Sequence, residues 1–155
     1  MNVAEEIKGK KILHWFRKDL RPVDHEIITN HGFTAGVTCF YIYEEKYHLE
    51  DPLGFSYYSE KRKTFLEETL DDLERALKKF GIELLRFHNL EDFAAYPFDS
   101  FDLLTYQEQY GTEEAYQEQS VVNHLGISTL NFNSFTLVDE RELPFSLSSL
   151  PFTFT

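Results

Sequence analysis

Short apolar runs of strand length alternate along this chain with stretches of helical period, and that alternation limits the possible folds more than any other feature. Lys11–Phe16 is brief, apolar and preceded by charge, as a buried strand should be. Gly36–Tyr43 is a second such run, continuous enough to be covered on both faces. Ile82–Phe87, Phe101–Tyr106 and Ile127–Phe132 supply three more. The longest predicted helix is Tyr58–Phe80, where Leu66, Leu70, Leu73, Leu77 and Phe80 recur at steps of four and three and so form one stripe. Shorter helices are predicted from Asp24 to about His31, from Leu90 to Tyr96 and from Thr112 to Leu125. Asp24 is expected as an N-cap, and Gly32, Gly81 and Gly126 as closing residues.

Strands alternating with helices predict an α/β fold: a doubly wound, five-stranded parallel sheet with right-handed crossovers and helices on both faces. The expected form is Rossmann-like, with strand order 3-2-1-4-5. Ligands of such sheets sit beyond the carboxyl ends of the strands, where the strand order switches. Those ends carry Phe16 and Arg17, Tyr43 and Glu44, and the run Tyr106-Gln107-Glu108-Gln109. A length of 155 residues suits one domain. We place it at residues 1–141, with 142–155, uncharged from Leu143 onward, as an apolar linker segment.

Charge narrows the partners. Fifteen basic and 27 acidic residues give a net charge of −12. No Lys or Arg occurs between Arg86 and Arg141, while ten acidic residues fall in that interval, Glu108, Glu113, Glu114 and Glu118 among them. Such a surface repels phosphate backbones and anionic lipid, so neither direct nucleic-acid binding nor a membrane is expected. The amino-terminal stretch is polar, and the longest apolar run, Phe33–Tyr43, is too short to cross a bilayer as a helix. A single cysteine, Cys39, rules out an internal disulfide and fits a cytoplasmic location.

Several familiar chemistries are missing from the sequence. The loop after the first strand has no glycine before Gly32, so it is not a dinucleotide-binding turn, and no Gly-Lys-Ser/Thr loop occurs. The six histidines are scattered without the i, i+4 spacing that places two metal ligands on one helix face, and no metal site is expected. Cys39 lies mid-strand as a small hydrophobe, and no catalytic constellation is visible. The unusual item is the charged loop Arg17–Asp24. Arg17, Asp19, Arg21 and Asp24 are expected to pair with one another and pin the turn; alternatively Arg17 faces a planar anionic ligand or a neighbouring domain.

At this loop the sequence resembles a known family. Trp15-Phe-Arg-Lys-Asp-Leu-Arg-Pro-Val-Asp24 is similar to the opening signature of the DNA photolyases and cryptochromes. The likeness continues through Arg62, Phe65-Leu66-Glu67, Leu70, Asp72-Leu73, Leu77, Gly81 and Leu84-Leu85. Glu142–Phe145 and Leu150–Thr153 resemble the segment leading out of this domain in the DASH cryptochromes. Departures are His25 where the family has Asn, the lack of Thr-Gly before Arg62, and His88-Asn89 where a glycine is usual.

The resemblance implies an amino-terminal domain that holds an antenna chromophore (methenyltetrahydrofolate, a deazaflavin or FMN) and passes excitation energy to FAD. In the family, FAD, damaged-DNA binding and the tryptophan relay belong to a helical domain beyond this one. That domain is the implied partner, in cis or in trans. A full-length protein would be a deoxyribodipyrimidine photo-lyase or a blue-light sensor, and this chain alone would not be catalytic. Phe16, Arg17, Tyr43, Gln107, Glu108 and Gln109 are the expected chromophore-binding residues. In folate-binding relatives a carboxylate after the fourth strand contacts the pterin, and the match falls on Glu108 or Gln109. A stand-alone nucleotide-binding or protein-interaction module of the same fold, without light chemistry, is the alternative.

Overall fold

The computed structural model describes residues 3–132, 144–146 and 149. Its five strands are β1 (Lys11–Phe16), β2 (Gly36–Ile42), β3 (Glu83–Phe87), β4 (Leu103–Gln107) and β5 (Ser128–Phe132). All neighbouring pairs are parallel, and the order is β3-β2-β1-β4-β5, as expected from the alternation. The helices are α1 (Val3–Glu6), α2 (Glu26–Thr29), α3 (Glu60–Lys78), α4 (Leu90–Ala95) and α5 (Thr112–Leu125). Of the expected linker 142–155, only 144–146 and 149 are among the described residues.

Side chains alternate across each strand, so β1 serves both layers. Leu13 and Trp15 face one side, where they meet Phe40, Ile42, Leu104 and Tyr106 of the sheet, Phe93 of α4 and Val121 of α5. Trp15 stacks on Phe40 with ring centroids 5.7 Å apart, and Phe40 stacks on Phe93 at 5.0 Å. Phe16 faces the other side and packs with Cys39, Tyr41 and Leu84 against Leu70, Leu73 and Leu77 of α3 and Ile28 of α2. A third cluster gathers Ile7, Ile12, Ile27, Leu103 and Phe132.

Local chemistry explains most boundaries. Ser59 caps α3 by accepting from the Arg62 amide, and Asn89 caps α4 by accepting from the Asp92 amide at 2.8 Å. Gly81 (φ 70°) and Gly126 (φ 61°) take the left-handed conformation just after α3 and α5, as expected of closing glycines. Arg86 of β3 ties the sheet to α3 through Asp71 and Glu74, each at 2.8 Å. Among the described residues no helix is long and apolar enough to cross a membrane.

Two expectations fail at α2. Asp24 does not cap the helix: it has φ 53°, and the N-cap position falls to His25, which makes no side-chain cap. Aspartate tolerates the left-handed region better than most residues, and here it turns the chain so that His25 points inward, 2% exposed. Nor does Gly32 close the helix. α2 ends at Thr29, and Gly32 lies inside a separate single-turn 3-10 helix, His31–Phe33.

Candidate functional site

The carboxyl ends of β1, β2 and β4 surround a small cleft at the switch in strand order. Trp15 of β1 and Arg17 and Lys18 just after it line it, with Tyr41 and Ile42 of β2 and Glu44 just after, Gln109 from the loop after β4, and Glu114 and Gln117 from α5. The position is the one that topology assigns to ligands of doubly wound sheets. The cleft has a volume of about 30 Å³, room for one water-sized group.

The walls of the cleft are held by charge. Arg17 is 7% exposed; it donates from Nη1 to Glu118 Oε2 at 2.7 Å and from Nη2 to the Glu114 carbonyl at 2.8 Å. Its guanidinium lies over the Trp15 ring, 4.4 Å from the centroid. Burial draws the Arg17 pKa below its ordinary value, against the opposing pull of Glu118. Lys18 pairs with Glu114 at 2.7 Å and Lys46 with Glu113 at 2.7 Å, so the acidic first half of α5 collects three cations from two loops. The Lys18 ammonium accordingly holds the Glu114 carboxyl below its usual range.

The loop's ions therefore do not pair with one another. Arg17 reaches across to α5, Asp19 accepts the Arg17 amide at 2.9 Å and contacts His25, and Arg21 donates to the Asp24 carbonyl oxygen rather than to its carboxylate. The reason is the bend that follows β1: it breaks the strand alternation, so Arg17 reaches α5 while Asp19 turns to His25 on the other face.

Of the six expected chromophore-binding residues, Arg17 and Gln109 line the cleft. Gln109 is 5% exposed, and its Nε2 is a buried donor without a partner. Phe16 lies on the α3 side, fully buried. Tyr43 is on that side too, donating through its hydroxyl to Glu67 at 2.8 Å. Gln107 ends β4 opposite Phe132, and the Glu108 amide donates to the Phe132 carbonyl at 2.9 Å. Trp15 and Gln117 were not among the expected residues. Trp15 looks like any core aromatic in an apolar run, and Gln117 reaches the cleft only through the packing of α5.

The profile of the DNA photolyase family matches residues 12–155. The chain belongs to the DNA photolyase family. Cryptochrome DASH of Gloeobacter violaceus is 32% identical over 154 residues, covering 94% of this chain and 31% of the relative. Cryptochrome DASH of a Synechocystis species is 29% identical over 153 residues, covering 93% and 31%. The chain thus spans about a third of the length of the curated relatives it matches. In this photolyase-family domain the opening signature Trp15–Asp24 is strand β1 and its return loop. It sends Trp15 and Arg17 to the cleft and turns Asp19 to the other face.

That other face holds a cluster of residues that lie apart in the sequence. His14, Asp19 and His25 are all buried, and one ligand-capable atom from each lies within 4.8 Å of the other two. His14 Nδ1 meets Thr105 Oγ1 at 2.8 Å, and His25 Nε2 meets Asp19 Oδ2 at 3.1 Å. Burial and the neighbouring His25 push the His14 pKa down to about 3. Burial tends to raise the Asp19 pKa, but the hydrogen bond from His25 and the nearby His14 outweigh it and leave it below its ordinary value. The readable signal was a histidine in the middle of an apolar strand. Its two partners, five and eleven positions on, fit no helix or strand period and converge only because the loop doubles back.

Proposed function

We propose that this chain is the antenna domain of a photolyase or cryptochrome, holding a planar chromophore at the cleft between the ends of β1, β2 and β4. The observation that carries this reading is Gln109 Nε2, a buried donor with no partner at the mouth of the switch-point cleft. Buried polar groups in folded proteins are almost always matched, and an acceptor on a bound ring would match this one. Trp15, under the Arg17 guanidinium, is the aromatic side chain beside it.

An amide donor suits a ring carbonyl, which a flavin, a deazaflavin and a pterin all carry. A pterin read by a carboxylate would also want Glu108 there, and Glu108 does not line the cleft, which weighs toward a flavin-type ring. Arg17 is already matched by Glu118, so a nucleotide phosphate gains little from it, which weighs against the nucleotide-binding alternative. The cleft has room for one water-sized group, so a ring held there would need the Lys18–Glu114 contact to open. Light-driven repair or signalling, FAD and DNA contact belong in this reading to a partner helical domain, in cis or in trans. The acidic surface supports that division, and the lone Cys39 supports a cytoplasmic setting.

The test is to purify the chain and titrate it separately with FMN, a deazaflavin and methenyltetrahydrofolate, following the absorption band that co-elutes. Binding of a flavin-type ring, weakened about tenfold or more in Gln109→Leu, supports the reading. A flat titration with all three chromophores overturns it.

A further inference from the structure

We propose that His14, Asp19 and His25 form a binding site for one divalent transition-metal ion, Zn²⁺ or a close relative, on the α3 side of the sheet. The three side chains come from the middle of β1, from its return loop and from the residue before α2. They are 0%, 8% and 2% exposed. Two imidazoles and a carboxylate are the donor types such ions prefer.

What points to a ligand is the unfinished hydrogen bonding. His14 Nε2 and His25 Nδ1 are both buried and both without a partner. Each ring's other nitrogen is engaged, His14 Nδ1 with the Thr105 hydroxyl and His25 Nε2 with Asp19. For His14 that is the arrangement of a metal-bound histidine, whose second nitrogen is oriented by a hydroxyl; His25 Nε2 and Asp19 Oδ2, 3.1 Å apart, would exchange their hydrogen bond for the ion. Unmatched imidazole nitrogens beside a buried carboxylate are costly in a dry core, and one cation would take up His14 Nε2 and neutralise Asp19. The two rings already meet edge to face, with centroids 4.7 Å apart.

Ligands about 2.0–2.2 Å from a tetrahedral ion sit about 3.4 Å from one another. The three donors lie within 4.8 Å, so closing the shell asks for ring rotations and a small shift of the return loop. This site is separate from the cleft, which lies on the opposite side of β1 and uses none of these side chains. The chromophore reading can fail without touching it, and the reverse also holds.

The experiment is a titration of the chelator-treated 155-residue chain with Co²⁺, read by its visible ligand-field absorption, and with Zn²⁺, read by thermal unfolding. Saturation at one equivalent per chain, with a raised unfolding temperature, is expected. His25→Asn and His14→Gln should each weaken binding at least about tenfold. His88→Ala, which removes one ring of the surface contact between His48 and His88, should bind like the parent. No stoichiometric binding by the parent chain overturns the proposal, as does binding that survives His25→Asn and disappears in His88→Ala. Should the His14 and His25 variants not fold, X-ray absorption of the parent chain with one equivalent of Zn²⁺ decides. Two imidazoles with oxygen ligation support the site, and a shell with one imidazole or none overturns it.

Discussion

Arg17 and Glu118, 101 positions apart, share a 2.7 Å hydrogen-bonded ion pair that clamps the end of β1 to the middle of α5. The Arg17 side chain is 4% exposed and that of Glu118 21%. Removing the acid strands a buried guanidinium, whereas removing both charges does not. Glu118→Gln is therefore expected to cost about 2–3 kcal/mol, less than a fully buried pair because water reaches Glu118. The double variant Arg17→Met, Glu118→Leu should recover most of that loss. Urea unfolding midpoints of the three proteins check the ordering; a double variant as unstable as the single one would show that the clamp is not electrostatic.

Gly126 and Gly32 make opposite predictions. Gly126 has φ 61°, its amide donates to the Val122 carbonyl at 3.0 Å, and an added Cβ would meet nothing within 4 Å. The cost of Gly126→Ala is then purely conformational, about 1 kcal/mol. Gly32 also has open space around it, and its φ lies outside the left-handed region. Gly32→Ala should be neutral or slightly stabilising, since alanine loses less chain entropy on folding. Thermal unfolding of both variants separates the two cases.

What the sequence revealed and what it hid divide along a physical line. Strands β1 to β5 and helices α3 to α5 were legible because their signal is local: apolar runs, a leucine stripe, glycines at the ends. Even the buried stripe is shorter than its spacing predicts. Leu70, Leu73 and Leu77 are buried, while Phe80, past the last turn of α3, is 47% exposed. The cleft was legible only as a place, since topology names strand ends but not which neighbouring side chain turns toward the opening. Trp15 and Gln117 reach it and Phe16 and Tyr43 do not. The His14–Asp19–His25 cluster was hidden for a stronger reason. It is made by a left-handed Asp24 and a loop that doubles back, neither of which leaves a periodic trace.

The leucine stripe itself can be measured. Leu77 is fully buried between α3 and the sheet, and Leu77→Ala should cost about 2–5 kcal/mol through lost burial and the cavity left behind. Phe65, on the same helix, is 70% exposed, and Phe65→Ala should stay within about 0.5 kcal/mol. Equal losses at the two positions would mean that the Phe65 face of α3 is covered in solution.

Alkaline conditions should expose another dependence. Tyr58 is 6% exposed and donates to Glu44 Oε2 at 2.8 Å; burial, and then this acceptor, push its pKa from 10.0 up to about 12. Burial, and then Glu67, likewise push the Tyr47 pKa to about 12, and burial also raises those of Tyr41, Tyr43 and Tyr106. Each phenol keeps its proton in the folded chain and gives it up near pH 10 in the unfolded one. Their contribution to stability is complete below about pH 10 and is lost as pH rises toward 12. Unfolding midpoints should fall through that window, with tyrosinate absorbance appearing in step with loss of helical circular dichroism. Tyr58→Phe, which has no proton to lose, should flatten part of the fall, and an unchanged slope in that variant would remove Tyr58 from the account.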